Sequence, residues 1–198
     1  MNVGSNEGEI IHQMPKYRRL PAGFSLERYG VSVRLADVQD SDFILSLRTD
    51  KKLSRYIHNT DNDLAKQEEW MRAYKQREQE GKEYYFIYSH KGEKYGVNRI
   101  YNIQANDVEC GSWICKQGIS PELPMLCPII IREIVFDVLG YSSFHFEVRK
   151  ANKFVNRFHR LVGAIVTGET ENDYLYRLTS ASFSENKIKL LKQLNINP

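Results

Sequence analysis

The chain of 198 residues has few cysteines, and its charges are almost balanced. The three cysteines, Cys110, Cys115 and Cys127, include no C-x-x-C pair, and the five histidines are scattered, so no zinc-site spacing is present. We therefore expect no metal, free thiols rather than disulfides, and a location in the reducing cytoplasm.

Long apolar runs are also missing. No stretch approaches the roughly 20 apolar residues that a membrane span needs, and residues 1–15 lack the apolar segment of a secretory signal. There are 28 basic and 25 acidic residues, and the one small basic cluster, near the start of the chain, is not the basic stripe typical of nucleic-acid binders. We expect neither a membrane nor a nucleic-acid partner.

The chain does have the apolar content of a folded protein, with 41% hydrophobic and 12% aromatic residues. This length suits one domain with a proper core better than two. Residues 1–24 open with a polar, glycine-containing stretch that predicts a flexible N-terminal extension. Residues 25–198 are expected to form the single domain.

Periodicity in the first half predicts two strands, two helices and three more strands. The stretch "FSLERYGVSVRLA" alternates as strands do, with Gly30 at a turn. The helices are indicated by "SDFILSLRTDKKLSRYI" and "TDNDLAKQEEWMRAYKQREQEG". Turn residues then divide "EYYFIYSHKGEKYGVNRIYNIQANDVECGSWICK" into three antiparallel strands.

The second half predicts a helix in "PIIIREIVFDVLG" with Pro128 in its first turn, a strand in "SSFHFEVRK" and a helix in "NKFVNRFHRLVG". The apolar face of that last helix would carry Phe154, Phe158 and Leu161. A hairpin and a short C-terminal helix follow. A strand–helix–strand unit requires a parallel strand pair with a crossover, so the expected fold is α+β, with a mixed, mostly antiparallel sheet and flanking helices.

This order of elements, and one motif within it, resembles the GCN5-related N-acetyltransferase (GNAT) family. Members typically carry V-x-x-x-N at a strand end, then a helix that ends in lGF or lGA. Here Val148 and Asn152 are followed by Leu161-Val162-Gly163-Ala164, and Asn152 precedes Gly163 by eleven residues. The similarity spans residues 31–183 and is greatest to the subgroup that acetylates protein N-termini and amino sugars.

The resemblance implies acetyl-CoA as co-substrate. In that fold the two parallel strands splay apart and the pantetheine arm lies in the gap, here expected to open after Trp113. The arm would meet the backbone of Trp113, Ile114 and Cys115 and the amide of Asn152. The pyrophosphate would rest on N–H groups at the start of the crossover helix, from Leu123, Met125, Leu126 and Cys127.

The phosphate segment differs from the glycine-rich pattern of the family. It reads "KQGISPELPMLCPIII", in which three prolines lack an N–H donor. This difference leaves open a second hypothesis, a catalytically silent GNAT-like domain that binds a ligand without transferring an acetyl group. Asn152 is also an ordinary helix N-cap type, and this role does not exclude contact with the co-substrate.

Two side chains are candidates for catalysis. His159 stands seven residues after Asn152, where many family members have a tyrosine that acts as the general acid. An imidazolium can also donate a proton near neutral pH. The alternative is a histidine that only packs, on a face with Val155 and Val162. Glu109 is the candidate base that takes the amine proton, and its alternative is an exposed strand glutamate.

The acceptor side is expected at the segment between the two early helices and at the strand "YGVNRIY". The candidate substrate-binding residues are His58, Asn59, Asn98 and Arg99. The resemblance thus implies direct acetyl transfer to a primary amine of a small molecule or amino sugar nucleotide, by a monomer or homodimer. A peptide N-terminal acetyltransferase is the remaining alternative within the same chemistry.

Overall fold

The computed structural model describes residues 19–196. Most of the predicted extension, residues 1–24, lies outside that range. Its last residues are packed against the fold: Leu20 is buried in the main core and donates its N–H to the Tyr84 hydroxyl (3.1 Å), and Phe24 packs edge-on against Phe86. The packed part of the chain therefore begins before residue 25.

Eight strands form one sheet in the order β1-β2-β3-β4-β5-β6-β8-β7. Every neighbouring pair is antiparallel except β5 and β6, which are parallel. This confirms the predicted α+β class and the mixed, mostly antiparallel sheet. The strands are β1 (Ser25–Arg28), β2 (Val31–Leu35), β3 (Tyr84–His90), β4 (Glu93–Tyr101), β5 (Glu109–Cys115), β6 (Ser143–Arg149), β7 (Ile165–Glu169) and β8 (Asp173–Thr179).

Helices cover both faces of the sheet. They are α1 (Ser41–Thr49), α2 (Leu64–Gln79), α3 (Glu122–Glu133), α4 (Lys153–Leu161) and α5 (Ser180–Gln193). On one face α1 and α2 enclose the smaller core, with Ile44, Met71 and Tyr85 at its centre. On the other face α3, α4 and α5 enclose the larger core, which includes Ile130 and Phe158.

The parallel strands β5 and β6 pair only at their first residues. Glu109 is opposite His145, and the His145 N–H donates to the Val108 carbonyl at 3.1 Å. Beyond this point no further pair joins the two strands in the described chain. The gap therefore opens directly after Glu109, earlier than the predicted position after Trp113.

Two sequence predictions about helices are wrong. Helix α3 begins at Glu122, so Pro128 lies inside it rather than in its first turn. Helix α4 buries Phe158, but Phe154 is 66% and Leu161 is 52% exposed, whereas Val162 just after the helix is fully buried. The inward face is thus rotated by about one residue, or about 100° around the axis.

Candidate active site

A cavity of about 150 Å³ fills the gap between β5 and β6. Strand β5 supplies Gly111, Ser112 and Trp113, and α3 supplies Ile131 and Arg132. Strand β6 and helix α4 form the opposite wall, and the segment between α1 and α2 forms part of the rim; these contribute Phe146, Glu147, Asn152, His159, Tyr56 and Ile57. The cavity therefore opens toward α1 and α2 and reaches inward to α3.

A bulge in β5 shapes one wall. The pairing with β4 shifts between Val97–Ile114 and Arg99–Gly111, and Ser112 within the shift has a φ of 55°. An extra residue in a strand is left outside the hydrogen-bond ladder and redirects its neighbours. The bulge thus brings backbone that does not follow the regular ladder to the edge of the cavity, next to Trp113.

Arg132 is the most unusual side chain of the cavity, because its guanidinium is 2% exposed and meets no carboxylate in residues 19–196. It donates through Nη1 to the Pro128 carbonyl and lies 2.7 Å through Nη2 from His159 Nδ1. Its Nε–H is buried without a partner among the described residues. Burial lowers the pKa of Arg132 to about 10, so the group is still charged at neutral pH.

The same contact fixes the state of His159. Burial, and then the positive charge of Arg132, hold the pKa of His159 well below 6.5. Since a guanidinium only donates, Nδ1 must accept and the neutral ring carries its proton on Nε2. The structure therefore places His159 at the cavity, as expected, but as a neutral Nε2–H donor instead of the imidazolium that the sequence suggested.

The two carboxylates near the gap have different surroundings. Glu109 does not line the cavity; its oxygens accept from the Tyr101 hydroxyl (2.6 Å) and Asn102 Nδ2 (2.7 Å), at the closed end of the parallel pair. Glu147 does line the cavity and is exposed toward the α1–α2 side. Glu147 is thus better placed than Glu109 to meet an amine.

The candidate co-substrate residues are only partly brought together. Trp113 and Asn152 line the cavity, and Asn152 is also the N-cap of α4, accepting from the Val155 N–H at 3.4 Å. Ile114 instead faces the smaller core. Cys115, at the end of β5, lies with its sulfur 3.6 Å from that of Cys127.

The first turn of α3 offers fewer phosphate donors than the sequence suggested. Because α3 begins at Glu122, the N–H groups of Leu126 and Cys127 lie beyond the first turn, where they bond within the helix. Leu123 donates its N–H to the Ser120 carbonyl at 3.1 Å. Since Pro121 is the N-cap, helix geometry directs the Met125 N–H to the Pro121 carbonyl, so none of the four candidates keeps an orphan first-turn N–H.

The candidate acceptor residues divide between two cavities. Asn98 is buried and lines the gap. Asn59 and Arg99 line a second cavity beside Trp70, under α2. His58 is exposed and lines neither, although its carbonyl accepts from Arg48 Nη2 at 3.4 Å.

Sequence reasoning missed Ser112, Arg132 and Glu147. Arg132 looked like an ordinary helix charge in "PIIIREIVF", and Glu147 looked like the solvent side of an alternating strand. The usable signal for Glu147 was its place in the second half of β6, where the strand has separated from β5, on the opposite face from Phe146 and Val148. Nothing in the sequence pattern distinguishes a buried arginine from an exposed one.

Residues 19–196 contain neither a candidate metal site nor a helix that could span a membrane. No group of three or more His, Cys, Asp or Glu side chains there is placed to hold a metal ion. No helix in this part of the chain has both the length and the apolar character required to cross a bilayer.

Comparison with known proteins gives matches among solved structures. No family model and no curated protein sequence matches the chain. Apo FdhC, described as a nucleotide-linked sugar GNAT, superposes with a TM-score of 0.77 at 33% identity, covering 85% of this chain and 97% of that chain.

Two more distant structures share the fold. The N-acetyltransferase PseH of Campylobacter jejuni has a TM-score of 0.59 at 18% identity, covering 76% of this chain and 99% of its own. RimJ of Mycobacterium smegmatis, in complex with CoA-disulfide, has a TM-score of 0.70 at 15% identity, covering 87% and 94%.

Proposed function

The chain belongs to the GCN5-related N-acetyltransferase family, and from this membership we propose that it transfers acetyl from acetyl-CoA to a primary amine of a nucleotide-linked amino sugar. The observation that carries the proposal is the cavity between β5 and β6, lined by Trp113, Asn152 and His159. A narrow gap with unpaired strand edges suits an extended pantetheine arm. The acceptor class is supported by the 33% identity to a nucleotide-linked sugar GNAT.

Direct transfer requires the amine nitrogen to form a bond to the acetyl carbon as the carbon–sulfur bond breaks. We assign Glu147 to hold the amine at the mouth of the cavity and to accept the proton that it loses. The irregular backbone at Ser112 is placed to donate to the thioester oxygen, where negative charge develops. These roles need no group beyond the two substrates.

The departing thiolate is the second site of negative charge. His159 presents Nε2–H and cannot readily give the proton away, so its role is a hydrogen bond to sulfur. Arg132 adds a fixed positive charge behind the ring, in a buried setting where charge interactions are stronger than in water. The thiolate then takes its proton from solvent after release.

The location proposed is the cytoplasm. All three cysteines are unpaired in the structure, although Cys115 and Cys127 have their sulfurs only 3.6 Å apart. Neighbouring thiols that remain reduced fit a reducing compartment.

A thiol-release assay with acetyl-CoA tests the proposal, using nucleotide-linked amino sugars, free amino sugars, polyamines and peptides as acceptors. Release that depends on a nucleotide-linked amino sugar supports it, and release with peptides alone would select the N-terminal acetyltransferase. A thermal shift with CoA addresses the silent-domain hypothesis. A bound ligand at about 100 times its Kd stabilises by about 2.7 kcal/mol, so binding without release with any acceptor would favour the silent domain.

A further inference from the structure

The second cavity, of about 260 Å³, lies between β3, β4 and the helices α1 and α2. Arg48 from α1, Trp70 and Gln67 from α2, Tyr85 from β3 and Arg99 from β4 form its walls. Its rim is the segment after α1, with Asn59 and Thr60. The proposed transfer chemistry does not use this cavity.

The walls carry two positive charges. Arg48 and Arg99 both line the cavity, and no acidic side chain of the described chain does so. The Arg99 guanidinium bonds to Glu83, but Glu83 is shared, because Arg77 Nε donates to its other oxygen at 2.7 Å. The buried Glu83 therefore offsets only part of the positive charge around the cavity.

Both guanidiniums are held in place by contacts that leave one nitrogen of each, Nη1, without a bond among the described residues. Arg99 uses Nε and Nη2 on Glu83 and lies over the Trp70 ring at 5.0 Å. Arg48 uses Nε on the Thr60 hydroxyl (2.8 Å) and Nη2 on the His58 carbonyl. Among the contacts of residues 19–196, Nη1 of each is left for a ligand.

A third donor is buried in the wall. Tyr85 is 1% exposed, and its hydroxyl lies beside the Arg48 guanidinium, which only donates, so the hydroxyl proton has no acceptor among the described residues. A buried donor without an acceptor is unfavourable, so a ligand oxygen that accepts from this hydroxyl gains affinity. Burial raises the pKa of Tyr85, so the group keeps its proton as a donor.

We propose that this second cavity binds a phosphate group, held by Arg48, Arg99 and the Tyr85 hydroxyl. Three donor side chains line one cavity with an excess of positive charge, and guanidiniums suit the planar, two-point contacts that phosphate oxygens accept. A neutral ligand would leave Arg48 without a counter-ion among the described residues and Arg99 with only Glu83, which it shares with Arg77. The occupant is the diphosphate of the acceptor, and this assignment of its source rests on the proposed function.

The two cavities are lined by residues that neighbour each other in the chain. Along β4, Asn98 lines the gap and the next residue, Arg99, lines the second cavity. Along the segment after α1, Ile57 lines the gap and Asn59 lines the second cavity. Ile57 and Trp70 pack against the same smaller core, so both cavities open on the α1–α2 face.

Calorimetric titration at constant ionic strength tests the inference, with UDP, dTDP, inorganic pyrophosphate and uridine as probes. The variants are Arg48→Gln and Tyr85→Phe, which removes a hydroxyl that donates to no group in the described fold. Arg72→Gln is the matched control, because Arg72 is an exposed arginine of α2 paired to Glu68. We expect the nucleoside diphosphates to bind, with affinity reduced about tenfold or more by Arg48→Gln and several-fold by Tyr85→Phe.

Uridine should not bind, and Arg72→Gln should behave as the parent protein. Tighter binding of UDP or dTDP than of pyrophosphate would support the acceptor as the source of the phosphate. If pyrophosphate binds as tightly as UDP and dTDP, the acceptor is not the source of the phosphate. Absent binding, or binding that neither variant weakens, would overturn the site, since nucleotides can also occupy the co-substrate region.

Acetyl transfer is measured separately with small amines that carry no phosphate. Thiol release from these amines without variant-sensitive anion binding would remove this inference and leave the acetyl transfer of the proposed function standing. Anion binding that depends on Arg48 and Tyr85, without thiol release from any amine, would support the phosphate site and contradict the proposed acetyl transfer.

Discussion

Arg132 Nη2 lies 2.7 Å from His159 Nδ1, and both side chains are buried at the inner end of the cavity. An arginine beside a histidine is an unusual pair, because two cations cannot share this site. The pair exists only with His159 neutral and accepting. The contact therefore sets the tautomer of the ring and leaves a buried positive charge next to the place assigned to the thioester sulfur.

The first prediction concerns stability against pH. The folded-state pKa of His159 is well below 6.5, and its unfolded value is about 6.5. The stability that this shift contributes is present above pH 6.5 and is lost as pH falls, because His159 then binds a proton in the unfolded chain but not in the folded chain. From pH 7.5 to 5.5 the free energy of unfolding should fall, with a limiting slope of about 1.4 kcal/mol per pH unit from this group.

Urea unfolding of the parent and of His159→Gln at the two pH values measures this effect. Glutamine can still accept from Arg132 but does not titrate, so the variant should lose most of the pH dependence in this window. His58→Gln is the control, since His58 is exposed, and it should keep the parental slope. Equal slopes in the parent and His159→Gln would contradict the neutral ring.

The second prediction concerns the buried charge. Arg132→Met keeps most of the volume and removes the cation that we propose stabilises the leaving thiolate. We expect kcat to fall about 10- to 100-fold with little change in the KM of the amine, because the charge matters most in the transition state. Near-ultraviolet circular dichroism shows whether the core is intact.

A second readout separates this role from simple packing. Without the neighbouring cation the pKa of His159 should rise, which proton NMR of the ring detects. A folded Arg132→Met variant with parental kcat and an unshifted His159 would refute the assignment.

The sequence predicted the class of fold, the parallel pair and the position of Asn152 and His159, because these depend on local periodicity and on one spaced motif. It misplaced the start of α3, because Pro128 suits a first helical turn, whereas in the structure it lies inside the helix, where a proline ordinarily costs about 3 kcal/mol. It chose the wrong face of α4, because Phe154 and Leu161 are as apolar as the residues that are buried. Which apolar stripe faces inward depends on neighbours that the local pattern does not contain.

The site itself was less predictable. Glu109 and Glu147 are both strand glutamates, and only the early separation of β5 from β6 puts Glu147 at the cavity. The state of His159 depends on Arg132, which is 27 residues away in the chain. Such long-range pairs are set by packing, and periodicity carries no information about them.

The third prediction distinguishes the two glutamates. Glu147→Gln keeps the shape of the side chain and removes the charge that would attract the ammonium form of the acceptor. We expect kcat/KM for the amine to fall about 10- to 100-fold, in the range of a lost proton acceptor. Glu109→Gln should have a smaller effect, since Glu109 is bound by Tyr101 and Asn102 outside the cavity. A larger loss in Glu109→Gln would restore it as the base.

The fourth prediction concerns cysteine reactivity. Cys115 is partly exposed at the end of β5, whereas Cys110 and Cys127 are buried. Burial raises the pKa of the Cys127 thiol well above its usual value and raises that of Cys110 too, so both should resist alkylation. Mass spectrometry after brief iodoacetamide treatment should find one modified site, at Cys115.

Prior addition of acetyl-CoA, which has no free thiol to consume the reagent, should protect Cys115 if the arm follows the end of β5. Cys115→Ser is the matched variant and should remove the rapid modification. Modification that acetyl-CoA does not slow would place the arm elsewhere in the gap.

The fifth prediction concerns the end of α4. Gly163 has a φ of 91°, and a Cβ there would lie 2.2 Å from Ser182 Oγ and 2.7 Å from Asn186 Nδ2, on α5. Its carbonyl also accepts from Ser182 Oγ at 2.8 Å. Gly163→Ala therefore combines backbone strain of about 1–2 kcal/mol with a clash that pushes α4 away from α5. Gly118→Ala is the matched control, because Gly118 also has a positive φ, 74°, but nothing within 4 Å of an added Cβ.

The free energy of unfolding in urea should fall in Gly118→Ala by about the backbone strain alone, and it should fall clearly further in Gly163→Ala. Since α4 carries Asn152 at its start and His159 in its last turns, displacing it should also lengthen the contact between His159 and Arg132. Gly163→Ala should then reduce kcat even at temperatures where it is fully folded. Equal destabilisation by the two alanines would mean that α5 yields to the new methyl group, and that the glycine closing α4 is required for its backbone angle alone.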